Sequence, residues 1–179
     1  MARGAAPVLL GVAATWLPLG PTALRVTNIA WLAKGVAAQH YVGWAIFRNS
    51  QWTWPLGRNP SFGLEVSSSI FFSDSIPLLA LPFKAVAAAL PVPFQYFGLW
   101  YLLSVVLQTT LAWHLLGRVT SHSELRLLGA VFFVFAPPML RRMCGSVGAR
   151  HALVGHWLVL AGLALSLDAT PLRGARVWM

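Results

Sequence analysis

A chain of 179 residues that is 58% hydrophobic and 9% charged lies outside the range of soluble domains, which are about 45–50% apolar and about 25% charged; with a mean hydropathy of +0.68, it reads as an integral membrane protein. The net charge of +9 comes from thirteen Lys and Arg scattered singly, with Arg141 and Arg142 the only adjacent pair, which excludes the concentrated basic face of a nucleic-acid binder and fits topology and lipid headgroups instead. The apolar residues come in blocks of spanning length rather than short alternating runs, which excludes a β-barrel, and the single cysteine, Cys144, excludes an internal disulfide.

Ala5 to Leu24 is the first predicted span, although it carries Pro7, Pro18 and Pro21. Its basic start resembles a signal peptide, but no small-residue cleavage site precedes a polar mature start. Residues 25–97 then form one long extramembrane region. Within it, a helix over Asn28 to Phe47 would place Val36, His40, Gly43 and Phe47 on one stripe. His40 is there either a hydrogen-bonded polar tip or a contact for a phosphate. Tyr41, Trp44, Phe47, Trp52 and Trp54 put five aromatics into fourteen positions, and Trp54 runs into the turn signal Pro55-Leu56-Gly57. Two readings stand: an aromatic belt at the water interface, or a platform whose flat ring faces stack on sugars. Glu65 reads as a solvated loop carboxylate and a reserve candidate for a base.

The stretch Ser73-Asp74-Ser75 precedes an apolar segment with Pro77 in its first turn, the pattern of a helix start in which an aspartate oxygen accepts a backbone N–H bond. The segment from about 76 to 90 could be a further span. Lys84 would then sit near the bilayer centre at a cost of about 3 kcal/mol. An interfacial helix with Lys84 snorkelling outward avoids that.

Gly98 to Gly117 is the clearest span, twenty uncharged residues that cover about 30 Å at a helical rise of about 1.5 Å. Its Gln108 and His114 read as helix–helix hydrogen-bonding groups. Leu125 to Leu140 and Ala152 to Leu167 are shorter spans with ends in the interface. His151 and His156, five apart, are separated by about 140° on a helix and form no zinc pair. No phosphate-cradling loop, nucleophile elbow or dinucleotide fingerprint appears, and no cofactor or metal is inferred. The expectation is an all-α, polytopic transmembrane helix bundle of four spans, one membrane domain over 1–179. Arg3, Arg118, Arg126, Arg173 and Arg176 fall on one side, weakly favoured as cytoplasmic. The long region and Arg141-Arg142 fall on the other.

The segments "NIAWLAKGVAAQHYVGWAIFRNSQWTWPLG", "SIFFSDSIPLLALPFK", "LPVPFQYFGLWYLLSVVLQ" and "HALVGHWLVLAGLAL" resemble an uncharacterised family of bacterial polytopic membrane proteins. That family looks like the GT-C class of glycosyltransferases, which use polyprenyl-phosphate sugars outside the cytoplasmic membrane. The match is dense from Asn28 to Gly117 and thinner from Phe133 to Leu167.

The resemblance implies a multi-pass protein of the bacterial inner membrane, with a long periplasmic loop containing juxtamembrane helices. It also implies a carboxylate near the end of the first span that deprotonates an acceptor hydroxyl. In the family pattern an aspartate stands three residues before the Gln of QH, a position held here by Val36. Asp74 is the only aspartate left in the region, so Asp74 and His40 are the catalytic candidates. Arg48, Arg58, Lys84, Arg141 and Arg142 are candidates for the donor phosphate, with headgroup anchoring as the alternative for each. Trp52 and Trp54 are candidates for the sugar.

A complete enzyme of that class looks as if it needs more spans. With Val36 in place of the acid, the expectation is a fragment or degenerate copy that is inactive alone. A non-catalytic membrane scaffold or assembly subunit is the alternative. A transporter is disfavoured, because the spans hold almost no ionisable groups to line a pathway.

Overall fold

The computed structural model of the chain describes residues 2–63, 66–144 and 150–167. The chain is mostly helical. Its centre is α4 (Phe97–Leu116), and α1 (Ala2–Leu19), α5 (Ser123–Val134) and α7 (Trp157–Leu167) all pack on it. The α1–α4 crossing is close because position 11 is glycine: a Cβ there would lie 2.7 Å from the Val106 Cα.

Proline sets the ends of these helices. The helical part of the predicted first span stops at Leu19; Gly20 turns to φ 69° and Pro21 opens a separate 3₁₀ turn, Pro21–Leu24. Proline has no N–H to continue the ladder and disfavours helical backbone just before it. The predicted span Leu125–Leu140 is likewise broken. α5 ends at Val134, α6 (Pro137–Cys144) restarts on the Pro137-Pro138 pair, and the two axes differ by 53°. At the break the Phe133 carbonyl, one of the four that a helix end leaves without a partner, accepts from Gln108 Nε2 at 2.8 Å, the interhelix role expected of Gln108. The last predicted span divides into a 3₁₀ turn, His151–Val154, and α7.

One helix, α4, is long and apolar enough to cross a membrane, and a second qualifies if the bent α5–α6 pair counts as one; Gly4–Leu19 and His151–Leu167 are apolar but shorter. The ends of the helices are tied. Arg126 donates through Nε and Nη2 to the Trp113 carbonyl (3.1 and 2.8 Å) and Arg118 Nη1 to the Leu167 carbonyl (3.0 Å), so the C-terminal ends of α4 and α7 meet the start of α5. α6, the His151–Val154 turn and the long region gather at the opposite end.

The long region folds on itself. It holds α2 (Gly35–Asn49), α3 (Pro77–Ala85) and a two-residue antiparallel pair, β1 (Arg58–Asn59) with β2 (Ser68–Ser69), in which Arg58 faces Ser69. Its core of Leu32, Trp44, Phe47, Ile70 and Ala80 is continuous with Tyr96, Phe97 and Trp100 at the head of α4. Gln95 pins the junction: Nε2 donates to the carbonyls of Ala23 (2.8 Å) and Arg25 (3.0 Å), and Oε1 accepts the Gly98 N–H at 3.0 Å.

Two local expectations are corrected. Asp74 does not cap α3. The cap position is Ile76, at φ 52° and ψ 78°, and no side chain bonds the first turn; Asp74 itself has φ 54°, a left-handed conformation that aspartate tolerates better than most residues. Lys84 does not snorkel outward. It is 5% exposed, donates to Ser50 Oγ (2.8 Å) and the Gln51 carbonyl (3.3 Å), and lies 3.9 Å from the Phe47 ring centre and 4.8 Å from that of Trp52. Hydrogen bonds and aromatic faces at the end of α2 replace the water that snorkelling would have sought, and burial lowers the Lys84 pKa.

Candidate functional site

The motifs that carry the resemblance converge. His40, on α2, is buried, and its Nδ1 donates to the Ser73 carbonyl at 2.8 Å. Ser75 Oγ returns the tie by donating to the His40 carbonyl at 2.6 Å, the two serine hydroxyls are 2.8 Å apart, and the Tyr96 hydroxyl donates to the Ser75 carbonyl. Burial holds the Tyr96 phenol well above its usual pKa, so it remains a donor. The 73–75 loop can approach α2 this closely because position 43 is glycine: a Cβ there would meet Ser73 Cβ at 2.5 Å and Ser75 Oγ at 2.8 Å.

Against His40 packs His151, from the turn before α7, with ring centres 4.9 Å apart. Its Nδ1 is 2.8 Å from the Tyr101 hydroxyl, which is itself 3.1 Å from the Arg142 carbonyl. A phenol that donates to that carbonyl must accept from His151 Nδ1, leaving Nε2 as a bare lone pair. His40, donating from Nδ1, carries the same bare Nε2 when neutral; both Nε2 atoms are buried without a hydrogen-bond partner among the described residues. Burial, and then the neighbouring His40, push the His151 pKa down to about 3, so its ring is neutral over the ordinary pH range. Among the described residues no three His, Cys, Asp or Glu side chains are placed to hold a metal ion.

One turn before His40, Val36 forms the wall of a cavity of about 630 Å³ whose other described lining residues are Pro137, Pro138, Arg141, Arg142, Arg150 and Leu153. Three guanidinium groups therefore share one cleft with Val36. Arg142 is anchored, its Nη1 donating to the Leu153 carbonyl (3.3 Å) and to His156 Nε2. On the other side of this Arg142–His156 contact lies an apolar groove of about 410 Å³, lined by Gln108, Phe132, Phe133, Ala136, His156, Val159 and Leu160.

The remaining candidates scatter. Arg48 is committed to structure, donating to the carbonyls of Pro91 (2.7 Å), Ala87 (2.9 Å) and Leu90 (2.7 Å) and so closing the 3₁₀ turn Ala87–Ala89. Lys84 is held in the aromatic cage described above. Arg58 is exposed on β1. Trp52 and Trp54 are exposed, at 51% and 80%, with Trp52 also edge-on to Phe47. Asp74 is half-buried between two buried serines and does not line the cleft. Glu65 lies outside the described residues.

Arg150 and His151 are absent from the sequence candidates. His151 stands in the quoted HALVGHW segment, but only its position 111 residues after His40, brought back by the fold, makes the pair.

No curated protein and no solved structure matches the chain. The family model for a domain of unknown function, DUF6311, matches residues 8–179, taking in the described parts of the long region, the cleft and the histidine pair, and the chain therefore belongs to the DUF6311 family.

Proposed function

We propose that this chain is a multi-pass membrane protein of the bacterial inner membrane, GT-C-like, that holds a polyprenyl-phosphate-linked sugar at its extracytoplasmic end and does not by itself complete the transfer. The observation that carries this reading is the pairing of cleft and groove. A site for a phosphate on a long hydrocarbon needs a cationic pocket and an apolar channel that share a boundary, and the Arg142–His156 contact is such a boundary. The occupant of the groove is then the isoprenoid chain, because the groove adjoins the cleft at the Arg142–His156 contact and lies on α4, α5 and α7, apolar helices suited to lipid.

In such a transfer the guanidiniums stabilise the phosphate that departs from the sugar, and a carboxylate removes the acceptor proton. Val36, at the cleft wall, has no proton-accepting atom. His40 holds its Nδ1 on the Ser73 carbonyl. Asp74, on the 73–75 loop tied to His40, is the carboxylate of the long region that the description covers, and it serves as base only if loop and cleft close on one another. The proposed periplasmic face is that of the end where the long region and Arg141, Arg142 and Arg150 gather, on the weak excess of basic residues assigned to the other side.

The test is saturable binding of a radiolabelled polyprenyl-phosphate sugar to the purified chain in lipid nanodiscs. Binding that weakens in an Arg141→Gln/Arg150→Gln double variant, with no transfer to added acceptors, is the expected result. Binding indifferent to those arginines would remove the donor site, and measurable transfer by the chain alone would overturn its inactivity.

A scaffold role is the second reading, favoured by the exposure of Trp54 (80%), Val66 (87%) and Phe72 (83%) on the long region, an apolar surface suited to a partner. It requires that the double arginine variant leave assembly intact.

A further inference from the structure

The three arginines of the cleft are not equivalent. Arg142 spends its Nη1 on the Leu153 carbonyl and His156, tying α6 to the turn before α7. Arg141 and Arg150 line the same cavity, both exposed, and among the described residues neither guanidinium has a hydrogen-bond or carboxylate partner. None of the described lining residues is acidic. Of the chain's four carboxylates, Glu65, Asp74, Glu124 and Asp168, the two described ones lie elsewhere: Asp74 on the loop beside α2 and Glu124 in the first turn of α5, at the far end of the bundle.

Two uncommitted guanidinium forks in one cleft, with a third positive charge behind them, call for more than one phosphoryl group. A guanidinium presents two parallel N–H donors that match two oxygens of a single phosphoryl group. One phosphoryl group occupies one fork and leaves the other unpaired in a cleft that still carries excess positive charge. Two linked phosphoryl groups occupy both forks and add negative charge where no described lining residue supplies a carboxylate. A cavity of about 630 Å³ lies in the middle of the range of small-molecule sites, about 300–1,000 Å³, and has room for a diphosphate.

We infer that the cleft recognises a diphosphate, with one phosphoryl group on Arg141 and the other on Arg150, so that the lipid it holds is a polyprenyl diphosphate rather than a monophosphate. This rests on the proposed lipid-carrier function and narrows it to a headgroup class.

The experiment compares affinities of the purified chain in nanodiscs for polyprenyl phosphate, polyprenyl diphosphate of the same chain length, inorganic phosphate and inorganic pyrophosphate. The diphosphate lipid is expected to bind at least about tenfold more tightly than the monophosphate lipid. Arg141→Gln and Arg150→Gln should each bring the diphosphate lipid down to the monophosphate level and weaken monophosphate binding by a smaller factor, since the remaining fork still holds one group. Both positions are exposed, so folding is retained, and Arg150→Lys, which keeps the charge without the fork, should lose most of the margin. Equal affinity for the two lipids, with either substitution abolishing both, overturns the diphosphate assignment and leaves the carrier-lipid function standing. Failure of both lipids to bind overturns the function itself. Pyrophosphate binding as tight as the diphosphate lipid supports the two-fork site and overturns the lipid as its source.

Discussion

Gly43 is where the 73–75 loop and α2 meet, and Gly43→Ala should be costly for a reason visible in the distances. The new Cβ would lie 2.5 Å from Ser73 Cβ, 2.6 Å from Ser73 Oγ and 2.8 Å from Ser75 Oγ. Neither serine can yield easily. Both are fully buried, and Ser75 Oγ is held by the His40 carbonyl at 2.6 Å while the Ser73 carbonyl receives His40 Nδ1 at 2.8 Å. Overpacking of this kind costs about 1–3 kcal/mol, and displacing the loop weakens two buried hydrogen bonds worth about 1 kcal/mol each. The better helix propensity of alanine returns about 1 kcal/mol. The net loss is then about 2–4 kcal/mol, which for a chain of this size lowers Tm by about 4–16 °C. Thermal unfolding of purified protein followed by intrinsic fluorescence measures it. Gly162→Ala is the control, since a Cβ there meets nothing within 4 Å; it should be neutral or slightly stabilising. Equal Tm for Gly43→Ala and Gly162→Ala would show that the loop does not press on α2 as described.

Gln95→Ala removes three buried hydrogen bonds at the head of α4 and should destabilise by about 3 kcal/mol, read by the same assay; a loss under about 1 kcal/mol would contradict the junction. Asp74→Asn should leave Tm unchanged, because the side chain caps no helix and asparagine tolerates the same φ of 54°, whereas Asp74→Val should cost about 1–2 kcal/mol. His151, with a folded pKa of about 3 against an ordinary 6.5, is held neutral while the unfolded chain takes up a proton. Its contribution to stability is therefore fully present above about pH 6.5 and is lost as pH falls toward about 3, by up to about 1.4 kcal/mol per pH unit. Tm measured from pH 7.5 down to 4.5 should fall less steeply in His151→Asn than in the parent, and parallel slopes would refute the burial of a neutral ring.

Those parts of the fold written in local pattern were legible in the sequence. Gly98 to Gly117 is uncharged throughout, and α4 occupies Phe97–Leu116. The stripe Val36, His40, Gly43 and Phe47 does lie on one helix, α2. The apolar run from Leu125 to Leu140 masks the break at Pro137-Pro138, and the bend there brings Arg141 and Arg142 to the cleft. Asp74 shows the limit of capping patterns: Ser-Asp-Ser before Pro77 has the composition of a helix start, yet the serines serve His40 across the fold and Ile76 takes the cap position. The settings of Lys84 and Arg48 were hidden for the same reason. Their partners lie 32 to 43 positions away, and a cation beside apolar residues looks like an anchor until the aromatic cage or the carbonyls that hold it are in place. The His40–His151 pair and the gathering of Arg150 with Arg141 depend on how α6 and the turn before α7 dock on α4, which no local spacing encodes.

The most direct measurement is cross-linking of a photoactivatable polyprenyl phosphate to the membrane-embedded chain, with the modified peptides mapped by mass spectrometry. The expected adducts lie on Phe132 to Arg142 and Leu153 to Leu160, along the groove and cleft, and diminish when unlabelled lipid competes. Adducts confined to the exposed aromatics Trp52, Trp54 and Phe72, or spread evenly over the outer faces of α1 and α4, would contradict a built lipid-phosphate site.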